Sequence, residues 1–112
     1  MINAVPGIAS QIKSSGADAV FFTSGTAGAL PILTQLMREN GLDSATTQFM
    51  GLQRWDIPTS AISLSGLQGG WFAVPDPGLN ASFQSRYAAA YGGTPHPIAG
   101  LAYDGIAAIG AL

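Results

Sequence analysis

The sequence GADAVFFTSGTAG, residues 16–28, carries more structural information than any other part of the chain. A short apolar run, Ala19–Phe22, is followed by a loop of small residues, Thr23–Gly28. Leu30, Leu33, Leu36 and Met37 then recur at helical spacing, and a second short apolar run follows at residues 49–50. This order predicts a strand–helix–strand crossover in a parallel sheet. Because such sheets bind ligands outside the carboxyl ends of their strands, the Thr23–Gly28 loop is the first candidate site.

The elements before and after this crossover are predicted from the spacing of apolar residues, from glycines that end helices and from prolines that interrupt helices and strands. An upstream helix places Ile8, Ala9 and Ile12 on one face and ends at Gly16. Pro75–Gly78 is the strongest break in the chain, because its two prolines and its glycine disfavour both a helix and the hydrogen bonds of a strand. The other elements expected are strands at 46–51 and 70–74, a short helix around 60–64, a helix with apolar residues at 79, 83, 87 and 91, and a last helix over 98–112. Alternating strands and helices of this kind predict an α/β fold.

The low content of charged residues indicates that part of the surface of this fold is covered. The chain has 112 residues, enough for one domain at most, and 47% of them are hydrophobic whereas 9% are charged. Soluble domains carry about 25% charged residues. With so few charges to solvate a surface, we expect some apolar surface to face another chain in an oligomer, or a part of a longer parent protein.

Several functional classes are disfavoured by the residues present. Four scattered basic residues and a net charge of −2 argue against nucleic acid, and no apolar run reaches the roughly 18 to 20 residues of a membrane span. The N-terminus has no secretion signal pattern. The chain has no cysteine, and its single histidine, His96, lies between two prolines, so we expect no metal site. No G-x-S-x-G serine or pair of catalytic carboxylates is present, so we predict a non-enzyme without a catalytic residue or cofactor.

The loop after the first strand is the first candidate binding element. Its backbone N–H groups and the hydroxyls of Thr23, Ser24 and Thr26 could hold a polar ligand at a helix N-terminus. Alternatively, the small residues only let the helix pack closely. The loop is neither G-x-G-x-x-G nor a P-loop, which disfavours a nucleotide. The predicted ligand contacts in this loop are Ser24, Gly25 and Thr26.

The segment after the second strand is the second candidate. Gln53 and Arg54 can donate hydrogen bonds, and Trp55 can form a stacking wall. In the alternative interpretation, Trp55 fills the core and Asp56 caps the next helix. The predicted ligand contacts here are Gln53 and Trp55.

The ordered series of motifs resembles the second lobe of the type I periplasmic binding proteins. The similar motifs are Gly-Ala-Asp-Ala-Val-Phe-Phe at 16–22, Leu-Met-Arg-Glu-Asn-Gly-Leu at 36–42, Phe-Met-Gly at 49–51 and Leu-Gln-Gly-Gly-Trp-Phe at 67–72. This superfamily includes the branched-chain amino acid receptors of ABC transporters. Within it, Trp-Asp-Ile-Pro at 55–58, Pro-Asp-Pro at 75–77 and Leu-Ala-Tyr-Asp at 101–104 look most like the penicillin-binding-protein activator lipoproteins.

Two departures from the amino acid receptors bear on the ligand. The receptors use an acidic residue after the Phe-Met-Gly-type strand to pair the ligand's ammonium, and here Gln53 occupies that position. An aromatic residue expected in the preceding loop is replaced by Thr26 or Ala27, depending on the alignment. The resemblance therefore implies a noncatalytic domain that recognises a small polar solute, or a cell-wall-related envelope partner, in an interlobe cleft. Its alternative is an activator-type domain that stimulates peptidoglycan synthesis without a small-molecule ligand.

The resemblance also implies that the chain is a fragment, because full members are much longer and have two lobes. Residues 1–74 would be a partial second lobe, and residues 75–112 would hold the crossover and a helical segment of the first lobe. The expected fold is a three-layer, parallel-sheet piece of the type I periplasmic-binding-protein-like fold. The implied location is the periplasm or cell envelope, with any signal or lipid anchor outside this sequence.

Overall fold

The computed structural model describes residues 2–42 and 44–112. The chain divides into two compact units, Met1–Ala73 and Val74–Leu112. The first unit contains two α-helices and three strands: α1 Val5–Ser15, β1 Ala19–Phe22, α2 Leu30–Glu39, β2 Gln48–Gly51 and β3 Trp71–Phe72. Short 3₁₀ helices lie at Ile2–Ala4, Thr59–Ser63 and Ser65–Leu67, and the second unit contains α3 Pro77–Tyr91 and α4 Ala99–Gly110.

The three strands form one parallel sheet in the order β1-β2-β3. Phe22 pairs with Gly51 in register, and Gly51 pairs with Phe72, so the three carboxyl ends lie at the same edge. α2 joins β1 to its parallel neighbour β2, which is the crossover predicted from residues 16–51. We call the edge at which the three strands end the carboxyl edge.

The helix ends follow the glycine and proline signals of the sequence. α1 ends at Gly16, whose φ of 69° lies in the left-handed region. Pro31 occupies the first turn of α2, where its missing N–H costs no helical hydrogen bond. Gly41, with a φ of 83°, donates its N–H to the Arg38 carbonyl just after α2. The crossover helix is thus bounded at both ends by the residues that the sequence indicates.

One face of the sheet carries the core of the first unit. Phe22 and Phe49 project from this face and pack edge to face, with ring centroids 5.2 Å apart. The helices contribute apolar side chains to the same cluster, and residues after β2 complete it. The buried members are Val5, Ala9, Phe22, Leu30, Met37, Leu42, Phe49, Trp55, Ala61 and Leu67.

The opposite face of the sheet carries an apolar row that is largely open. Phe21 pairs with Met50, and Met50 pairs with Trp71, so the three side chains share one row across the sheet. Phe21 is 57% exposed and Trp71 is 64% exposed, whereas Met50 is partly buried. We call these three residues the open-face row. It is apolar surface of the kind that the low charge content predicted.

The second unit consists of two helices and their connections. Asp76 caps α3 by accepting a hydrogen bond from the Leu79 N–H at 2.9 Å. Gly92 ends α3 in the left-handed region, with a φ of 74°. The two helices meet through Phe83 and Tyr103, whose ring centroids are 5.0 Å apart, and Arg86 donates to the Tyr103 hydroxyl.

The structure confirms the α/β class and the parallel sheet, and it corrects several boundaries. The second and third strands are shorter than expected, at Gln48–Gly51 and Trp71–Phe72. The helix expected around residues 60–64 is a 3₁₀ helix at Thr59–Ser63. Of the residues expected on one face of α1, Ala9 is buried and Ile8 is exposed. The assignment of residues 1–74 and 75–112 to two lobes stays a prediction.

Candidate ligand-binding edge of the sheet

Two loops leave the sheet side by side at its carboxyl edge. The first is Thr23–Gly28, which follows β1, and the second is Leu52–Pro58, which follows β2. The Leu52 N–H donates to the Phe22 carbonyl at 3.3 Å, which continues the parallel pairing into the loops. The β1 loop and the β2 loop, as we call them, are therefore brought together by the pairing of the strands before them.

Gly25 and Gln53 lie against each other where the two loops touch. A Cβ added to Gly25 would lie 2.0 Å from Gln53 Oε1 and 3.1 Å from Gln53 Cδ. Real Cβ contacts are never this short, so the side-chain amide of Gln53 occupies the space that any larger residue at position 25 would need. Glycine at position 25 thus lets the amide lie directly on the β1 loop.

Thr26 holds the β1 loop to the end of the β2 loop. Its partly buried hydroxyl donates a hydrogen bond to the main-chain carbonyl of Ile57, the residue before the cis peptide bond to Pro58. This bond uses the hydroxyl hydrogen of Thr26 and links the two loops. A ligand could therefore contact this hydroxyl only through its oxygen lone pairs, as a hydrogen-bond acceptor.

Trp55 comes from the β2 loop, but its ring packs in the core. It is 2% exposed and lies against Phe22 and Phe72, with ring centroids 6.2 Å away in each case. An added Cβ at Gly51 or at Gly70 would meet its indole at 2.1 Å or 2.0 Å, so the two glycines make room for the ring. The buried indole N–H has no hydrogen-bond partner among the described residues.

Arg54 and Asp56 pair with each other within the β2 loop. Arg54 Nε donates to Asp56 Oδ1 at 2.8 Å, and Arg54 Nη2 donates to Asp56 Oδ2. This two-point contact lowers the pKa of Asp56 and raises that of Arg54, because the hydrogen bonds favour both charged forms. The expectation that Asp56 caps the next helix is wrong, since the 3₁₀ helix at Thr59–Ser63 has Pro58 at its cap position and no side-chain cap.

Three polar side chains at this edge remain without protein partners. Over residues 2–42 and 44–112, no hydrogen bond is made by the hydroxyls of Thr23 and Ser24 or by the Gln53 side-chain amide. Ser24 is partly buried, whereas Thr23 and Gln53 are exposed. These groups offer two hydroxyls and a carboxamide, each of which can both donate and accept.

The structure brings together four of the five residues expected to contact a ligand. Ser24, Gly25, Thr26 and Gln53 lie on two touching loops, whereas Trp55 packs beneath the edge in the core. Their roles in binding stay predictions. The Arg54–Asp56 pair and the Thr26–Ile57 contact were not expected from sequence. The short spacing of Arg54 and Asp56 is the one sequence signal that indicates their ion pair.

Within the described ranges, no cluster of three or more histidine, cysteine, aspartate or glutamate side chains is placed to hold a metal ion. His96 accepts a hydrogen bond from the Ile98 N–H in its own loop, at 3.4 Å. Among the described residues, no helix combines the length and the apolar character that crossing a membrane requires.

A family model described as "periplasmic binding protein" matches residues 4–112. This match covers nearly all of the chain, and the chain therefore belongs to the periplasmic binding protein family. Members of this family are in general noncatalytic proteins that bind ligands, and membership implies a periplasmic or envelope location. No curated protein and no solved structure matches the chain.

Proposed function

We propose that this chain belongs to a noncatalytic receptor that holds a small polar solute against the carboxyl edge of its sheet. The proposed contacts are the Ser24 hydroxyl, the backbone of Gly25 and Thr26, and the Gln53 amide, and Trp55 supports this edge from the core. The observation that carries the proposal is the pair of unengaged polar groups, Ser24 and Gln53, on two loops that touch at this edge.

The position of these groups supports the proposal as much as their chemistry does. In open parallel sheets the strands end at one edge, and the loops beyond them converge there on ligands. The backbone of the β1 loop leads into α2, so its N–H groups lie before a helix N-terminus. Polar groups from two loops can hold one ligand from two sides, and closure of a second lobe would complete the site.

Calorimetric titration of the chain, and of any longer polypeptide that contains it, with a panel of amino acids tests this site. We expect Ser24→Ala and Gln53→Ala each to weaken binding roughly 2- to 12-fold, which corresponds to one neutral hydrogen bond of about 0.5–1.5 kcal/mol. Ser10→Ala and Gln11→Ala, at exposed positions of α1, serve as matched controls and should bind as the wild type does. Undiminished binding by a Ser24→Ala, Gln53→Ala double variant would place the ligand elsewhere.

The second candidate is an activator-type interaction domain that stimulates a peptidoglycan synthase by surface contact. The open-face row favours it, because exposed apolar patches on a soluble protein mark contact surfaces. Residues 1–74 would then belong to a second lobe and residues 75–112 to a first lobe of an envelope lipoprotein.

A pull-down against penicillin-binding proteins separates the two candidates. The activator proposal predicts retention of a synthase by the wild type and loss of retention in a Phe21→Ser, Trp71→Ser variant. A clean negative with the wild type argues for the solute receptor. Tight binding of leucine or valine in calorimetry would instead favour the branched-chain amino acid receptors.

A further inference from the structure

Arg54 lies between two points at which the β2 loop touches the β1 loop. On one side of it, the Gln53 amide lies against Gly25. On the other side, the Ile57 carbonyl accepts the hydrogen bond from Thr26. Arg54 is the one basic residue in the two loops. The two contacts hold the backbone of this residue at the carboxyl edge, next to the groups of the proposed site.

The guanidinium of Arg54 uses only part of its hydrogen-bonding capacity on Asp56. Nε donates to Oδ1 and Nη2 donates to Oδ2, so this contact takes two of the five N–H donors. No described residue accepts a hydrogen bond from Nη1, and 23% of the Arg54 side chain is exposed. Because the guanidinium is planar, the outward N–H groups of Nη1 and Nη2 are parallel and point away from Asp56. We call this pair of donors the free fork.

Asp56 fixes the orientation of the free fork. A two-point contact with a carboxylate defines both the position and the plane of a guanidinium. Restricting a flexible side chain on binding costs free energy, and here much of that restriction is already made in the unliganded chain. The free fork is therefore pre-organised for an acceptor that carries two oxygens.

The charges around the free fork favour a negatively charged group. A carboxylate bound there would lie closer to the guanidinium than to Asp56, so the attraction exceeds the repulsion. The β1 loop leads into α2, whose first turn has no acidic residue and no side-chain cap, so the positive end of this helix is uncompensated. The hydroxyls of Thr23 and Ser24 can also donate to an anion.

We infer that the ligand presents a carboxylate to the carboxyl edge, and that the free fork of Arg54 binds it through two parallel hydrogen bonds. The two oxygens of a carboxylate match the two parallel donors of a guanidinium. Arg54 would then contact the ligand directly, whereas Asp56 is a positioning residue. This inference rests on the proposed function, because it specifies the ligand of the same site and adds Arg54 to its contacts.

Acetate and acetamide are matched probes, because they have nearly the same size and only acetate is charged. The chain, labelled with ¹⁵N, is titrated with each probe, and its backbone amide and arginine Nε–H resonances are followed by NMR. We expect acetate to shift the Arg54 resonances saturably, with a dissociation constant at least about tenfold lower than that of acetamide and raised by salt. Arg86, which is exposed in α3, is the internal control and should show no saturable shift.

Two variants and one resonance test the roles of Arg54 and Asp56. We expect Arg54→Gln to weaken acetate binding at least about tenfold and the matched control, Arg86→Gln, to leave it unchanged. At saturating acetate, the wild-type Arg54 Nε–H should keep the downfield shift of a donor bonded to a carboxylate, because Asp56 stays in place. Loss of that shift would show that acetate displaces Asp56, and the inference would be wrong.

The same titrations separate this inference from the proposed site. Acetate binding that Arg54→Gln does not weaken, or acetamide that binds as tightly as acetate, overturns the inference. If either probe still shifts Ser24 and Gln53 saturably in that case, the proposed site remains intact. Absence of a saturable shift at the carboxyl edge with both probes overturns both proposals.

Discussion

At the scale of single residues, Gly51 and Gly70 matter because the ring of Trp55 lies where their side chains would be. Overpacking a tight core forces neighbouring groups out of their preferred rotamers and costs about 1–3 kcal/mol. Unlike the flexible amide of Gln53 beside Gly25, the buried indole of Trp55 cannot swing into solvent. We therefore expect substitution by alanine to cost more stability at Gly51 and Gly70 than at Gly25.

We predict that Gly51→Ala lowers the free energy of unfolding by about 1–3 kcal/mol, measured by urea denaturation with tryptophan fluorescence. The added methyl would begin 2.1 Å from Trp55 Nε1. Gly7→Ala is the matched control, because it lies in α1 with no atom within 4 Å of the added Cβ. It should be neutral or raise stability by about 0.5–1 kcal/mol. Equal stability of Gly51→Ala and wild type would contradict the packing of Trp55 on β2.

The pairing of Asp56 with Arg54 predicts a pH dependence of stability. The pKa of Asp56 is lowered in the folded chain, chiefly by its hydrogen bonds with Arg54. Its contribution is thus fully present above the unfolded pKa of about 3.9 and is lost as the pH falls through the lower folded value. We expect Asp56→Asn to lower stability by about 0.2–1 kcal/mol at neutral pH and to have no such effect once the wild-type carboxyl is protonated. Urea denaturation of both proteins across this pH range measures the difference, and a constant difference would contradict the ion pair.

At the scale of elements, the start of α3 depends on one side chain. Asp76 stands before Pro77 and Gly78 and accepts a hydrogen bond from the Leu79 N–H. A carboxylate at this position satisfies an orphan donor of the first turn and also faces the positive end of the helix dipole. The break that the sequence indicates at residues 75–78 is therefore also the beginning of a helix.

We predict that Asp76→Ala destabilises α3 by about 1 kcal/mol and that Asp76→Ser preserves most of its stability. Thermal unfolding followed by far-ultraviolet circular dichroism measures both. Asp104→Ala, at an exposed position inside α4, is the control and should change stability by less than about 0.5 kcal/mol. An Asp76→Ala protein that melts as the control does would show that the cap contributes nothing.

The elements also show which features of the fold could be predicted from sequence. β1 has the expected bounds because its apolar run is delimited by Asp18 and Thr23. β3 has only two residues, because it pairs with Met50 and Gly51 and β2 ends there. The length of a strand thus depends on its partner, which apolar patterning does not reveal.

The candidate site, like the strands, could be predicted from the sequence only in part. The rule that parallel strands end at one edge predicts from the sequence alone that Ser24, Gly25 and Gln53 lie close together. The contact of Thr26 with Ile57 depends on the path of the β2 loop, and residue types do not specify that path. For Trp55 the sequence left a stacking wall and a core position open, and only the close approach to Gly51 and Gly70 places its ring in the core.

At the scale of the whole molecule, the two units differ in how much apolar surface they bury. The first unit contains every buried hydrophobic residue of the core cluster. In the second unit, Pro95 and Gly100 are the buried positions, whereas Ile106 is 73% exposed and Ile109 is 74% exposed. Two helices with so little burial have weak tertiary support, and most helical stability in proteins comes from such support.

This difference predicts uneven hydrogen exchange. We expect backbone amides of β1, β2 and α2 to exchange slowly, because opening them disrupts the core, and those of α3 and α4 to exchange near the rates of locally opening segments. Exchange measured by mass spectrometry on the chain at low and high concentration tests this expectation. Protection of α4 equal to that of α2 at both concentrations would contradict it. Protection of α4 that rises with concentration would instead show that a second copy covers Ile106 and Ile109, because only an intermolecular contact responds to concentration in this way.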